Sequence, residues 1–274
     1  MDKDKIKQLI ENKDKIIKLK KAQIKHADGI LINDLSVLKT VKKKELTTKA
    51  GSEDQVEVTA VINTTYLFDS HEDVHIDGLW NKSLAENRGI MHLQEHEMKF
   101  DKIISDGEDL KAYTVNVTWK ELGFNYSGKT EALTFDSIVK KSRNEYMMNQ
   151  YKARLVRNHS VGMQYIKLYL AVNDEDYKEE FAVWNKYYDK IANKADVDEA
   201  GYFWAVTEAK LIEGSAVPAG SNWATPTREV KTFEAVHKDT SNPYDKLFDL
   251  EADPFTSEND KQLNELLTLL KFEQ

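Results

Sequence analysis

The sequence contains no cysteine. That absence excludes disulfide frameworks, thiolate metal sites and cysteine nucleophiles together, and it fits a reducing compartment. Any covalent chemistry must therefore run through an oxygen or a nitrogen. Proline (4) and glycine (11) are scarce among 274 residues, which together with an apolar content of 41% excludes a disordered chain and a low-complexity repeat. No stretch approaches the ~18 consecutive apolar residues of a membrane-spanning helix. The start, Met1-Asp2-Lys3-Asp4-Lys5, leads into a lysine-dense segment without a continuous apolar region, so it does not read as a secretory signal.

What is present suffices for one sizeable core or two small ones, since 41% of residues are apolar and 10% aromatic. The formal charge of −8 is unevenly spread. Residues 1–50 hold 14 Lys and 7 Asp or Glu, 14 − 7 = +7, which leaves −8 − 7 = −15 for residues 51–274. A basic leader thus precedes an acidic body. In the leader, Ile6, Leu9, Ile10, Ile16, Ile17 and Ile24 recur at the steps of one helical face, with Lys at most other positions. Such an amphipathic helix packs on its own domain or a copy of itself, docks on an acidic partner, or binds nucleic acid, the last disfavoured because no aromatics interleave the lysines.

Beyond a polar linker at Leu46 to Asp54, the period changes from 3.6 to 2. Val56, Val58, Ala60 and Ile62 alternate with polar residues, as a half-buried strand requires. Further strands are expected at Tyr66–Phe68, Leu110–Trp119, Ala153–Arg157, Val161–Val172 and Trp204–Ile212. A helix is expected from about Ser137 to Met148, and another carries the stripe Tyr177, Phe181, Trp184, Tyr188 and Ile191 behind Asn173-Asp174. From Lys231 the chain is polar and acidic until Leu263, Leu266, Leu267, Leu269 and Leu270 suggest a short terminal helix. The organisation is therefore a leader (1–50), a main domain (51–230) and a tail (231–274). The fold class is α+β, built on a mostly antiparallel sheet with surrounding helices.

Two histidine pairs, His71/His75 and His92/His96, each lie four apart, which on helices would suit a divalent metal. The strand before His71 and the Asp77-Gly78 turn after His75 argue against helices there, and the glutamates match no zinc-protease pattern. Ser160 offers different chemistry. It would begin a strand, with Gly162 two residues on, where backbone amides can approach a substrate. A serine nucleophile needs a base and a group to orient that base. His159 is adjacent, but neighbouring side chains on a strand point to opposite faces, so the base must come from elsewhere.

Three blocks carry a family resemblance. The first is Phe68-Asp69-Ser70-His71-Glu72-Asp73-Val74-His75-Ile76-Asp77-Gly78-Leu79-Trp80-Asn81-Lys82-Ser83-Leu84, followed by Met91-His92-Leu93-Gln94-Glu95-His96. The second is His159-Ser160-Val161-Gly162-Met163, and the third Ala209-Lys210-Leu211-Ile212-Glu213-Gly214-Ser215-Ala216-Val217-Pro218-Ala219. Together, over about residues 56–228, they resemble the prohead (capsid maturation) serine proteases of tailed phages, whose fold is similar to the herpesvirus assemblin proteases. The resemblance implies a barrel-like sheet and a triad of Ser160 as nucleophile, His96 as general base and Glu213 as the orienting carboxylate. No Arg pair follows Ser160, where the herpesvirus relatives carry an Arg-rich oxyanion loop, which leaves the amides of Val161, Gly162 and Met163 as candidate oxyanion donors. His92 competes with His96 and Glu208 with Glu213; Ser215 is open to reading as a core hydroxyl, and Arg154 and Arg157 as alternative oxyanion groups.

The implied activity is endoproteolysis in the immature capsid, inside the host cytoplasm. Its substrates would be the scaffold, the major capsid protein and the enzyme itself, with a homo-oligomer in the prohead. Neither cofactor, metal, membrane nor specific nucleic acid is expected. A non-catalytic structural or scaffolding protein of the same fold is the alternative, and a histidine-paired metal hydrolase is the third reading.

Overall fold

In the computed structural model, residues 3–25, 53–86 and 89–232 are described. Their elements run α1 (Lys3–Glu11), α2 (Lys13–Ala22), β1 (Ile24–Lys25), β2 (Gln55–Thr64), β3 (Asp73–His75), α3 (Asn81–Glu86), β4 (Met91–Gln94), β5 (Ile103–Asp106), β6 (Leu110–Thr118), β7 (Lys129–Lys140), α4 (Lys141–Lys152), β8 (Asn158–Val172), α5 (Lys178–Tyr187), α6 (Lys194–Ala200), β9 (Tyr202–Val217) and β10 (Thr227–Thr232). All belong to one unit, Met1–Glu234. The expected terminal helix, and the tail beyond Thr232, lie outside the described residues.

The alternating run of β2 pairs antiparallel with β10 on one side and β7 on the other, and β6 completes a four-stranded sheet in the order β10-β2-β7-β6. The second sheet runs β1-β8-β9-β4-β5, with β3 beside β9. It is mixed, because β3 and β4 are parallel to β9 while β8 is antiparallel to it. The fold is therefore α+β, but the expected single barrel-like sheet is corrected. Among the described residues the strands form two sheets, neither closed on itself. The inner residues of both, Val58, Ile62, Phe135 and Val139 from one and Val161, Met163, Trp204 and Leu211 from the other, share one buried cluster. Burying a side chain of this size contributes about 1.5–3 kcal/mol.

Three local expectations change. Residues 137–140 continue β7 rather than starting a helix, because Val139 buries against the core opposite Val56 and the ladder with β2 runs on to Lys140. The helix begins at Lys141 and breaks at Asn144 (φ −154°), whose Oδ1 accepts from the Met147 amide at 3.0 Å and caps the second turn. Tyr66–Phe68 is a bend: Tyr66 is left-handed (φ 59°) and its amide donates to the His75 carbonyl at 2.8 Å. Ala153–Arg157 is the exit of α4, with Arg154 left-handed (φ 56°) and bonded back to Tyr151.

The leader breaks at Asn12 into two helices, and Ile24 lies in β1, opposite Gln164, instead of on the helical face. Ile6 is buried in the main core, with Leu9, Ile10, Ile16 and Ile17 packed on it. The described leader helices thus pack on their own domain. Three lysines reach acidic groups: Lys5 meets Glu72 at 3.0 Å, Lys13 meets Glu180 at 2.6 Å and Lys20 meets Asp73 at 2.8 Å. The environments differ. Asp73 is fully buried and also accepts from the Tyr165 hydroxyl, while the Lys20 ammonium lies 5.4 Å from the centre of the Trp204 ring.

A buried carboxylate that loses its cation keeps the desolvation cost, whereas an exposed pair contributes little. Lys20→Met is therefore expected to lower unfolding free energy by about 3 kcal/mol, and Lys5→Ala by about 1 kcal/mol or less. Urea denaturation measures both, and equal losses would contradict the burial argument.

Candidate active site

Strand β9 forms the spine of the site because it has neighbours on both sides. In β4, Met91 is opposite Glu213 and Leu93 opposite Ser215; in β8, Gly162 is opposite Glu213 and Ser160 opposite Ser215. Residues paired across a ladder share a face, so Glu213, Ser215, Gly162 and Ser160 stand together on one side of the sheet.

Glu213 is fully buried, a position that a carboxylate tolerates only when its oxygens are bonded. Its Oε1 lies 2.6 Å from His96 Nδ1, and its Oε2 accepts from the Ser215 hydroxyl at 2.6 Å. Ser215 Oγ in turn accepts from the His96 amide at 3.1 Å, so one hydroxyl holds both the acid and the backbone of the histidine. A carboxylate against Nδ1 keeps the ring proton there and leaves the lone pair on Nε2, the tautomer that a general base uses. Gly162 provides the room. A Cβ at that position would come 1.9 Å from Glu213 Oε1, closer than any side chain is allowed.

His96 reaches the carboxylate from the turn that ends β4. Both Glu95 (φ 54°) and His96 (φ 59°) are left-handed, a conformation costing about 1–2 kcal/mol at each non-glycine residue. The Glu95 amide donates to the Ala216 carbonyl at 2.9 Å and the Glu97 amide to Gln94 at 3.0 Å, so the strand ladder and the turn impose the conformation. Strain of this kind is retained where it places a side chain.

The two alternatives lie elsewhere. His92 is fully buried on the other face of β4, with Nδ1 2.8 Å from Ser137 Oγ and Nε2 3.2 Å from the Tyr151 hydroxyl. That hydroxyl is also 3.0 Å from His159 Nε2, and His159 Nδ1 is 3.1 Å from the Thr225 carbonyl. The carbonyl can only accept, so His159 carries its proton on Nδ1 and accepts from Tyr151. Tyr151 then accepts from His92 Nε2–H, and Ser137 donates to His92 Nδ1. One carbonyl orders the whole chain. Glu208 is drawn to Lys82 at 3.5 Å and Lys167 at 2.5 Å, and the Lys167 contact holds its carboxyl below the usual range.

The other nominated positions divide similarly. Met163 has strand partners on both sides, Lys25 and Leu211, whereas Val161 and Gly162 are paired on the β9 side alone among the described residues. Arg154 sits in the turn after α4, and the Arg157 carbonyl accepts from the Thr227 amide at 3.3 Å. Neither histidine pair lies on a helix: His75 is in β3 and His92 in β4. Asp69, Asp73 and His75 do place ligand-type atoms within 4.8 Å of one another, but the Lys20 ammonium supplies the cation there. Ser215, which the sequence leaves open to reading as a core hydroxyl, is buried and donates to Glu213. The signal for this contact was the Glu-x-Ser spacing, which on a strand puts both side chains on one face.

Gly162→Ala should displace the Glu213 carboxylate and destabilise the fold by about 1–3 kcal/mol, read as a lowered melting temperature. Burial, with the neighbouring imidazole, holds His92 well below its usual range, and burial alone pushes His159 down to about 4. Depressed histidines stay neutral when the unfolded chain protonates, so stability is full above about pH 6.5 and falls as the pH drops towards 4. Denaturation series across that window should show this loss, with a shallower slope in His92→Gln; a flat wild-type profile would contradict it.

No family model, curated protein or solved structure matches the chain.

Proposed function

We propose that this chain is a serine endopeptidase with Ser160 as nucleophile, His96 as general base and Glu213 as the carboxylate that orients and stabilises the imidazole. The observation that carries this reading is the 2.6 Å contact between His96 Nδ1 and buried Glu213, on the sheet face that also bears Ser160. In the first step Ser160 Oγ bonds to the scissile carbonyl carbon while His96 Nε2 takes its proton. The oxyanion collapses, the C–N bond breaks and the imidazolium returns the proton to the leaving amine. Water then repeats the sequence on the acyl-enzyme, its proton passing through His96 to Ser160. Throughout, Glu213 offsets the positive charge on the ring, and Ser215 holds the carboxylate against rotation.

The order of the His96, Ser160 and Glu213 blocks supports a place among the prohead maturation proteases, with an assemblin-like fold. In that setting the substrates are the scaffold, the major capsid protein and the chain itself, processed inside the immature capsid by an enzyme that assembles there.

A fluorophosphonate probe tests the chemistry directly. Wild-type protein should be labelled and Ser160→Ala should not, with His96→Ala and Glu213→Gln labelling about 10²–10⁴-fold more slowly. Equal labelling of wild type and Ser160→Ala would remove Ser160 from the mechanism. Coexpression with the capsid protein tests the assignment of substrate, because processing must cease in Ser160→Ala.

A further inference from the structure

At the ends of the strands that carry the candidate triad lies a cleft of about 200 Å³. Its walls come from three segments: Gln94 and Glu95, which lead into His96; Ala216, Val217 and Pro218, which follow Ser215; and Leu155 and Val156, which lead into β8. Residues Tyr146, Met147 and Gln150 of α4 complete it. The walls are tied to the strands that carry the triad. The Glu95 amide bonds the Ala216 carbonyl at 2.9 Å, and Asn158 Nδ2, two residues before Ser160, donates to the Pro218 carbonyl at 2.9 Å.

Both size and lining restrict what can enter. Pockets that take a drug-sized ligand or cofactor measure roughly 300–1,000 Å³, so this cleft suits a single side chain. Leu155, Val156, Met147, Ala216, Val217 and Pro218 offer it hydrocarbon. Neither lysine nor arginine lines it, so an acidic side chain would find no partner. Exposed large hydrophobic side chains also occur on the segments that flank it. Of the seven large hydrophobic side chains exposed among the described residues, Met98, Phe100, Tyr146 and Leu155 lie on the post-His96 segment, on α4 or just before β8. The Asn144 amide holds the first of these segments to α4 through the Asp101 carbonyl at 3.3 Å.

We propose that this cleft is a specificity subsite that takes one aliphatic or methionine side chain of the peptide substrate, at a fixed position from the scissile bond. The proposal rests on the serine-endopeptidase reading. Leu155 and Val217 form the part of the wall that sets the size of the accepted side chain.

Paired quenched-fluorescence peptides, identical except for Leu or Gly at each position around the cleavage site, provide the test. In wild type, one position should favour Leu over Gly by about tenfold or more in kcat/KM. Leu155→Trp and Val217→Trp, which fill the cleft, should each reduce that ratio towards one. Because the ratio compares two peptides on the same enzyme, a general loss of activity or of fold does not move it. Indifference of the wild type at every position, or an unchanged ratio in both filled variants, overturns the subsite while leaving the serine mechanism intact. Failure of the wild type both to label and to cleave overturns the mechanism, and the subsite with it.

Discussion

A carboxylate buried in the middle of a sheet is the constraint on which the rest of this structure depends. Glu213 has no exposure to solvent, and an ionised group so placed costs several kcal/mol unless its oxygens are bonded. Each feature around it answers that cost. Gly162 leaves the volume it occupies, Ser215 donates to one oxygen and His96 approaches the other. The left-handed turn at Glu95 and His96 follows from the same demand, since the imidazole must come off the end of β4 and double back over β9. Structure and proposed chemistry coincide here: the group that needs a partner in the fold is the one a general base needs behind it.

Much of the fold was legible in local pattern, and the exceptions share a cause. The alternation of Val56, Val58, Ala60 and Ile62 gave β2, and the stripe through Phe181 and Trp184 gave α5, because each buries one face at a recognisable period. Residues 137–140 depart from the helical expectation because Ser-Ile-Val-Lys is locally ambiguous; pairing with β2, some 80 residues earlier in the chain, decides it. The barrel expectation failed for a related reason. Whether strands close into a ring depends on which distant strands become neighbours, and the parallel insertion of β4 between β5 and β9 leaves no local trace.

The candidate site was legible in part. The ordered blocks named Ser160, His96 and Glu213, and the strand period correctly separated His159 from Ser160, since His159 faces Tyr151 on the other side of β8. What sequence could not rank was His96 against His92. Both belong to one short segment, and only the end of β4 after Gln94 turns the first towards Glu213 while the second remains in the ladder against Ser137. Gly162 was noticed for a different reason from the one the structure supplies. Its bareness accommodates an acidic neighbour across the ladder, a relation visible only with the register in hand.

Gly214, between the buried acid and its supporting hydroxyl, has a wider consequence. A Cβ there would lie 2.5 Å from the Phe135 ring and 2.8 Å from Ile62, so this is a point of close approach between the two layers. The spacing of the sheets and the height of Glu213 and Ser215 on the opposite face are thus a single mechanical variable. Enlarging Ile62 or Phe135 would act as a wedge beneath the middle of β9 and tilt the acid and the hydroxyl together, although neither core residue touches the site. Repacking this core without regard to the site is therefore not an option open to the fold: the volume of two hydrocarbon side chains calibrates the position of a carboxylate.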